Sequence, residues 1–213
     1  MKIENLFKKQ TQALYTIIGV VVVAIFCIIA FQHYNSGNNQ KMLEASESYQ
    51  KALIASENPD NPPDTKIANF ENVANTYPAT SFGIFASWNI VNLYTTPTNL
   101  NLKKEISDTD YKKAIDALIK SADANPKDSL TDITKTRLAK LYLETNQPDK
   151  AIETLNSLKS LQNNAYPLML LGQAYKQKGN ITKAIEIWQK ATQDPNATPE
   201  FKQIITQFIN NSN

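Results

Sequence analysis

Leu138, Ala139, Tyr142 and Ala151 recur 33 residues later as Leu171, Gly172, Tyr175 and Ala184, and a pattern repeated at that interval restricts the chain to few architectures. In both copies nine residues separate the Tyr from the Ala, the length of one tight turn between two helices. Small side chains at Ala139, Gly172, Ala151 and Ala184 let two helices approach closely, while Leu138, Tyr142, Leu171 and Tyr175 fill the space beside them. One such hairpin cannot bury its apolar face alone. Stacked hairpins can, and they end in an amphipathic cap. These residues are therefore core, and function lies on the surface the stack presents.

The second copy resembles a tetratricopeptide repeat, with Leu171, Gly172, Tyr175, Ala184 and Trp188 at the signature positions and Ala191 following. An all-α solenoid follows from that resemblance. Sparse Gly and an abundance of Ala, Leu, Lys, Asn and Gln favour helix as well. The periodicity predicts four hairpins, near 41–76, 81–125, 130–160 and 165–193. A capping helix over 198–210 closes them, with Thr198 as its N-cap, Pro199 at the first helical position and Phe201, Ile204, Ile205, Phe208 and Ile209 as one apolar stripe. Ile67, Phe70 and Val73 are expected to point inward from the second helix, and Ile90, Val91 and Tyr94 from the third. That third helix, 81–94, is unusual. No charge occurs between Glu71 and Lys103, and Phe82, Phe85 and Trp88 occupy its other faces, so it reads as buried or partner-facing all round. Between Tyr94 and Ala114 the spacing is 20 residues rather than nine, which places an 11-residue insertion around Thr96 to Asp108.

Ahead of the repeats, no charged side chain occurs from Thr11 to Gln40. The twelve Leu, Ile, Val and Phe residues between Ala13 and Phe31 contribute on the order of −4 to −7 kcal/mol to membrane insertion. The expected order is a cytoplasmic tail (1–12), a transmembrane helix (13–34), a polar juncture (35–40) and the repeat domain (41–213). A cleaved signal peptide is the alternative, but the apolar run is long for one and no small-x-small site follows it. Lys2, Lys8 and Lys9 crowd the leading side, so the positive-inside bias keeps the N-terminus cytoplasmic and sends the repeat domain across.

Outside the first 12 residues acidic and basic side chains balance, which argues against a nucleic-acid surface. His33 and Cys27 are the single His and the single Cys, and both lie in or beside the apolar run. With no glycine-rich phosphate loop and no metal-ligand spacing, the residues point to no catalytic site, cofactor, metal or small-molecule substrate. Acid pairs such as Asp108 and Asp110 fall at helix starts, where capping explains them.

The order of parts also resembles the ancillary SecYEG translocon subunit family (YfgM-like). The resemblance is carried by the short tail and single anchor, Ala45-Ser46, Tyr49-Gln50-Lys51-Ala52, Asn75-Thr76-Tyr77, Arg137-Leu138-Ala139 and the Thr198-Pro199 helix ending at Asn210-Asn211. It implies a single-pass protein of the bacterial inner membrane with a periplasmic repeat domain. The implied partners are the SecYEG channel and the membrane-anchored periplasmic chaperone PpiD, and the implied role is handling exported proteins without catalysis. A membrane-anchored scaffold for cell-wall or outer-membrane assembly is the alternative that the same repeats would serve. In tetratricopeptide proteins the first helix of each hairpin lines a groove. Counting from Tyr94, Tyr142 and Tyr175 places Phe85, Trp88 and Asn92, then Ile133, Thr136 and Lys140, then Tyr166, Met169 and Gln173 on that lining. For Trp88 the competing reading is core, since Trp is highly buried on average.

Overall fold

The computed structural model describes residues 39–96 and 106–212. The expected tail, transmembrane segment and most of the juncture, with Cys27 and His33, lie outside the described residues, as does the middle of the insertion. Among the described residues no helix is long and apolar enough to cross a membrane. The chain divides into two compact units, Met1–Glu44 and Ala45–Asn213, and the second holds the repeats.

Among the described residues the regular structure is helical throughout. Helix α1 covers 39–57, so residues 39 and 40 are already helical rather than part of a juncture. It is followed by α2 (Pro63–Thr76), α3 (Ser81–Thr95), α4 (Asp108–Ala124), α5 (Thr131–Glu144), α6 (Pro148–Asn156), a 3-10 turn (Leu161–Asn163), α7 (Ala165–Gln177), α8 (Ile181–Thr192) and α9 (Pro199–Asn210). The starts follow from local chemistry. The hydroxyls of Thr80, Ser107 and Thr198 accept from the backbone N–H groups of Gly83, Asp110 and Phe201 at 3.1, 3.1 and 3.3 Å. Proline opens α2, α6 and α9, where its missing N–H costs nothing.

The repeat extends into its turns. Asn146 and Gly179, again 33 residues apart, both adopt positive φ, 55° and 79°. The next N–H reaches back to the signature Tyr in each case, Gln147 to the Tyr142 carbonyl at 2.7 Å and Asn180 to the Tyr175 carbonyl at 2.9 Å. This is a left-handed helix stop used twice, with Gly free to adopt it and Asn tolerated.

Two hydrophobic cores result. The smaller joins α1, α2 and α3 through Ala52, Phe70, Val73, Ala86 and Ile90. The larger runs from Val91 to Ile205 and is centred on Leu118, Leu155 and Trp188. Ile67, Phe70 and Val73 are buried as expected, and so are Ile90 and Val91. Tyr94 is half-buried instead, because it packs against both cores and holds Lys113 Nζ 5.3 Å from its ring centroid. In the last hairpin Trp188 is 1 % exposed and gives its indole N–H to the Met169 carbonyl at 3.0 Å. Gly172 lies directly beneath that ring, and a Cβ there would collide with it. The Gly and the Trp of the signature are thus one packing unit. Helix α9 packs against α8 through Ile205, which is fully buried, and Phe208, whose ring centroid is 5.6 Å from that of Trp188. Ile204 departs from the expected stripe and is 45 % exposed, since the contacting face runs through 201, 205 and 208 and leaves it to one side.

Two aspartates tie successive elements together. Asp194, at the end of α8, accepts from the N–H of Ala165 at 2.8 Å, holding the start of α7. Hydrogen bonds from the backbone of Asn196 and Ala165 keep its carboxyl below the ordinary range. Asp132 in α5 accepts from the N–H of Ser160 at 2.9 Å. Burial pushes this carboxyl up, but the hydrogen bonds from Ser160 and Lys159, with the charge of Lys135, outweigh it and leave the group below its usual value.

Candidate functional site

The first helices of the hairpins adjoin along one side of the repeat unit. Tyr49 of α1 accepts from Asn89 Nδ2 of α3 at 2.9 Å, Trp88 of α3 donates its indole N–H to Thr134 Oγ1 of α5 at 3.0 Å, and α5 packs on α7. The nine residues counted from the signature tyrosines divide along this side into two groups.

Phe85 and Trp88 belong to an aromatic patch. Their rings meet edge-on at 5.4 Å, Phe85 lies 6.2 Å from Tyr49 and 6.4 Å from Phe82, and Tyr49 leads on to Phe70 in the smaller core at 5.9 Å. These separations favour edge and offset aromatic packing. Beyond Trp88 the Arg137 guanidinium stands 4.7 Å from the indole centroid, a cation–π arrangement. Trp88 is half-buried, with one edge against the larger core and its N–H satisfied by Thr134. Neither an open groove residue nor a core residue describes it. Asn92, one turn on, is exposed.

Lys140, Tyr166, Met169 and Gln173 come together at the second place, a concavity of about 740 Å³ between α5 and α7. Tyr166 is 41 % exposed, Met169 only 8 %, and Gln173 intermediate, so the site has an apolar floor with a phenol, amides and charges around it. Lys140 pairs with Glu144 at 3.0 Å, and Lys176 lies 5.9 Å from the Trp188 ring centroid. Gln177 donates to the Leu143 carbonyl at 3.2 Å and bridges the two helices. Ile133 is 47 % exposed but does not line this concavity, whereas Thr136 is 8 % exposed and spends its hydroxyl on the Asp132 carbonyl at 2.7 Å. In the last two hairpins the middle of each triplet, Thr136 or Met169, is thus nearly buried. Counting from Tyr fixes the angle around the helix but not how closely α5 and α7 pack.

Counting missed Tyr49, Asn89 and Arg137. Arg137 carried a signal, being the one arginine among 22 basic residues, and arginine suits aromatic faces better than lysine does. Among the described residues no group of three or more His, Cys, Asp or Glu is placed to hold a metal ion.

Stacked helix pairs that share a 33-residue turn, a Gly–Trp lock and a surface of aromatics and amides define a repeat protein built for contact. Residues 10–211 match the family described as tetratricopeptide repeat-like domain, and the chain belongs to that family. It is 26 % identical over 195 residues to the ancillary SecYEG translocon subunit of Aggregatibacter actinomycetemcomitans, covering 92 % of this chain and 88 % of that protein. The protein of the same name from Escherichia coli (strain K12) is 25 % identical over 194 residues, 90 % of this chain and 85 % of its own. That from Haemophilus influenzae is 24 % identical over 178 residues, covering 84 % and 80 %.

Proposed function

We propose that this protein is a non-catalytic, membrane-associated subunit that accompanies the SecYEG translocon and assists exported proteins. The observation that carries the proposal is that relatives named ancillary SecYEG translocon subunit align along nearly the whole chain, repeats and leading segment together. The apolar run over 13–34 serves as a single anchor, with the tail 1–12 cytoplasmic and the repeat domain 41–213 periplasmic. In this reading the concavity between α5 and α7 receives an extended segment of a partner. Tyr166 and Met169 offer apolar contact, and Gln173 offers hydrogen bonds to backbone. The aromatic patch at Phe85 and Trp88, with exposed Asn92 and Ile133 alongside, extends the same contact surface. PpiD is the chaperone expected beside it.

Site-specific photocrosslinking in the native membrane tests this proposal. A crosslinker at Gln173 or Tyr166 should capture channel subunits or the chaperone, and one at exposed Lys159 on the connection after α6 should not. Recovery of cell-wall or outer-membrane assembly proteins in their place would overturn it.

A further inference from the structure

Helix α3 has a second functional face. Opposite Phe82, Phe85 and Trp88 it presents Gly83, Ser87 and Ile90 to a cleft of about 510 Å³ between α2 and α4. The floor is made of small residues, with Ala74 from α2 and Ala117 and Ser121 from α4 beside Ser87. Small floors alone define no site. Here, however, Ser121 is 5 % exposed and lines the cleft, and its Oγ is a buried side-chain atom without a hydrogen-bond partner. Native folds rarely leave such a group unpaired.

The rims give the cleft a direction. Asn125 Nδ2, just past the end of α4, donates to the Pro78 carbonyl, just past the end of α2, at 2.7 Å, and closes one end. At the other, Lys113 stands over the Tyr94 ring, and Glu71 is close enough to act on the same hydroxyl. Helices α2 and α4 therefore run side by side in the same sense. Exposed Glu71, Lys113, Asp116 and Lys120 all line the cleft, and among the described residues none of them forms an ion pair. Lys113 is occupied by Tyr94, which leaves Glu71 to meet a cation at that end. Lys120, beside Ser121 and Asn75, is left to meet an anion at the other. Seven residues of helix separate these ends, roughly 10 Å, the span of about three residues of extended chain. The volume falls within the range of small-ligand sites.

We propose that this cleft binds a short zwitterionic peptide of about three residues with small side chains, its ammonium group at Glu71 and its carboxylate at Lys120, where the unpaired Ser121 hydroxyl completes the contact. This is independent of the translocon reading, and either can fail without the other.

The test is a titration of the ¹⁵N-labelled full-length protein with tri-alanine, followed by NMR. The backbone amides of Ala74, Ser87, Ala117 and Ser121 should shift saturably. The solvent-exposed change Lys120→Gln should weaken binding about tenfold, the effect of losing one charge-assisted hydrogen bond, and Ser121→Ala should weaken it by a smaller factor. Tri-alanine acetylated at its N-terminus and amidated at its C-terminus should leave the spectrum unmoved. Equal binding of the blocked peptide would mean that the cleft takes internal protein segments, and would overturn the proposal. So would shifts confined to Tyr166 and Gln173, undiminished binding to Lys120→Gln, or no shift at millimolar tri-alanine.

Discussion

Where α2 meets α3 the packing rests on five buried side chains, two of them alanines, while the same helix-pair plan from α4 onward encloses one continuous core that ends under α9. The two regions meet their packing needs differently. In the second, size complementarity is internal, with Gly172 making room for Trp188 and Ile205 and Phe208 sealing it from beyond. In the first, much of the aromatic surface stays outside the core, as rings of Tyr49, Phe82, Phe85 and Trp88 leaning on one another. A repeat that keeps its large side chains inside becomes stable and featureless. One that leaves them half outside keeps a surface that can bind.

The sharpest way to break this comparison is to remove one large buried side chain from each region. Trp188→Ala should cost about 4 kcal/mol, because the ring is fully enclosed and its cavity cannot collapse against Gly172. Phe70→Ala should cost about 3 kcal/mol, and native-state hydrogen exchange should show the loss confined to α1, α2 and α3. Equal spreading of both effects across the chain would mean that the two cores behave as one.

A smaller effect is expected from adding one methyl group. Gly172→Ala forces the Trp188 ring to move and should cost about 2 kcal/mol in urea unfolding. Trp188→Phe in the same chain should recover part of that loss, since the smaller ring gives back the space. Additive losses in the double variant would separate the two residues.

How much of this was legible depended on how locally each feature is determined. The helix starts at Thr80, Thr198 and Pro199 could be read because a cap is decided within a few residues. The four hairpins followed from the 33-residue interval. The faces of α3 were harder, because a helix without charge has no polar side to orient it. Trp88 shows the limit most clearly. Its surroundings come from Thr134 and Arg137, more than 40 residues away, and no periodicity reports such a pairing. Thr136 and Met169 share an angle with exposed neighbours, and only the closeness of α5 to α7 buries them.

Trp88→Ala tests that intermediate position directly. It should cost about 1 to 2 kcal/mol, for a half-buried ring and one lost hydrogen bond, and Thr134 keeps its own bond to the Leu130 carbonyl at 3.0 Å. Partner crosslinking should fall more than stability does. A loss as large as that of Trp188→Ala would make Trp88 core.

The smallest expected change is a gain. Asn146→Gly copies Gly179 into the preceding turn, where φ is already positive, and should stabilise the protein by about 0.5 kcal/mol. A loss would mean that the Asn146 side chain contributes more than its backbone strain costs.

The chain contains two tryptophans, one in each environment. Trp188 sits in a dry enclosure with its N–H on a carbonyl, and Trp88 is partly wetted beneath a guanidinium. Their fluorescence should therefore separate by wavelength, the enclosed indole emitting to the blue of the other. Excited together and read at two colours, the unlabelled protein reports optically on whether the core beneath α9 is intact and, separately, on whether anything has settled over the aromatic surface.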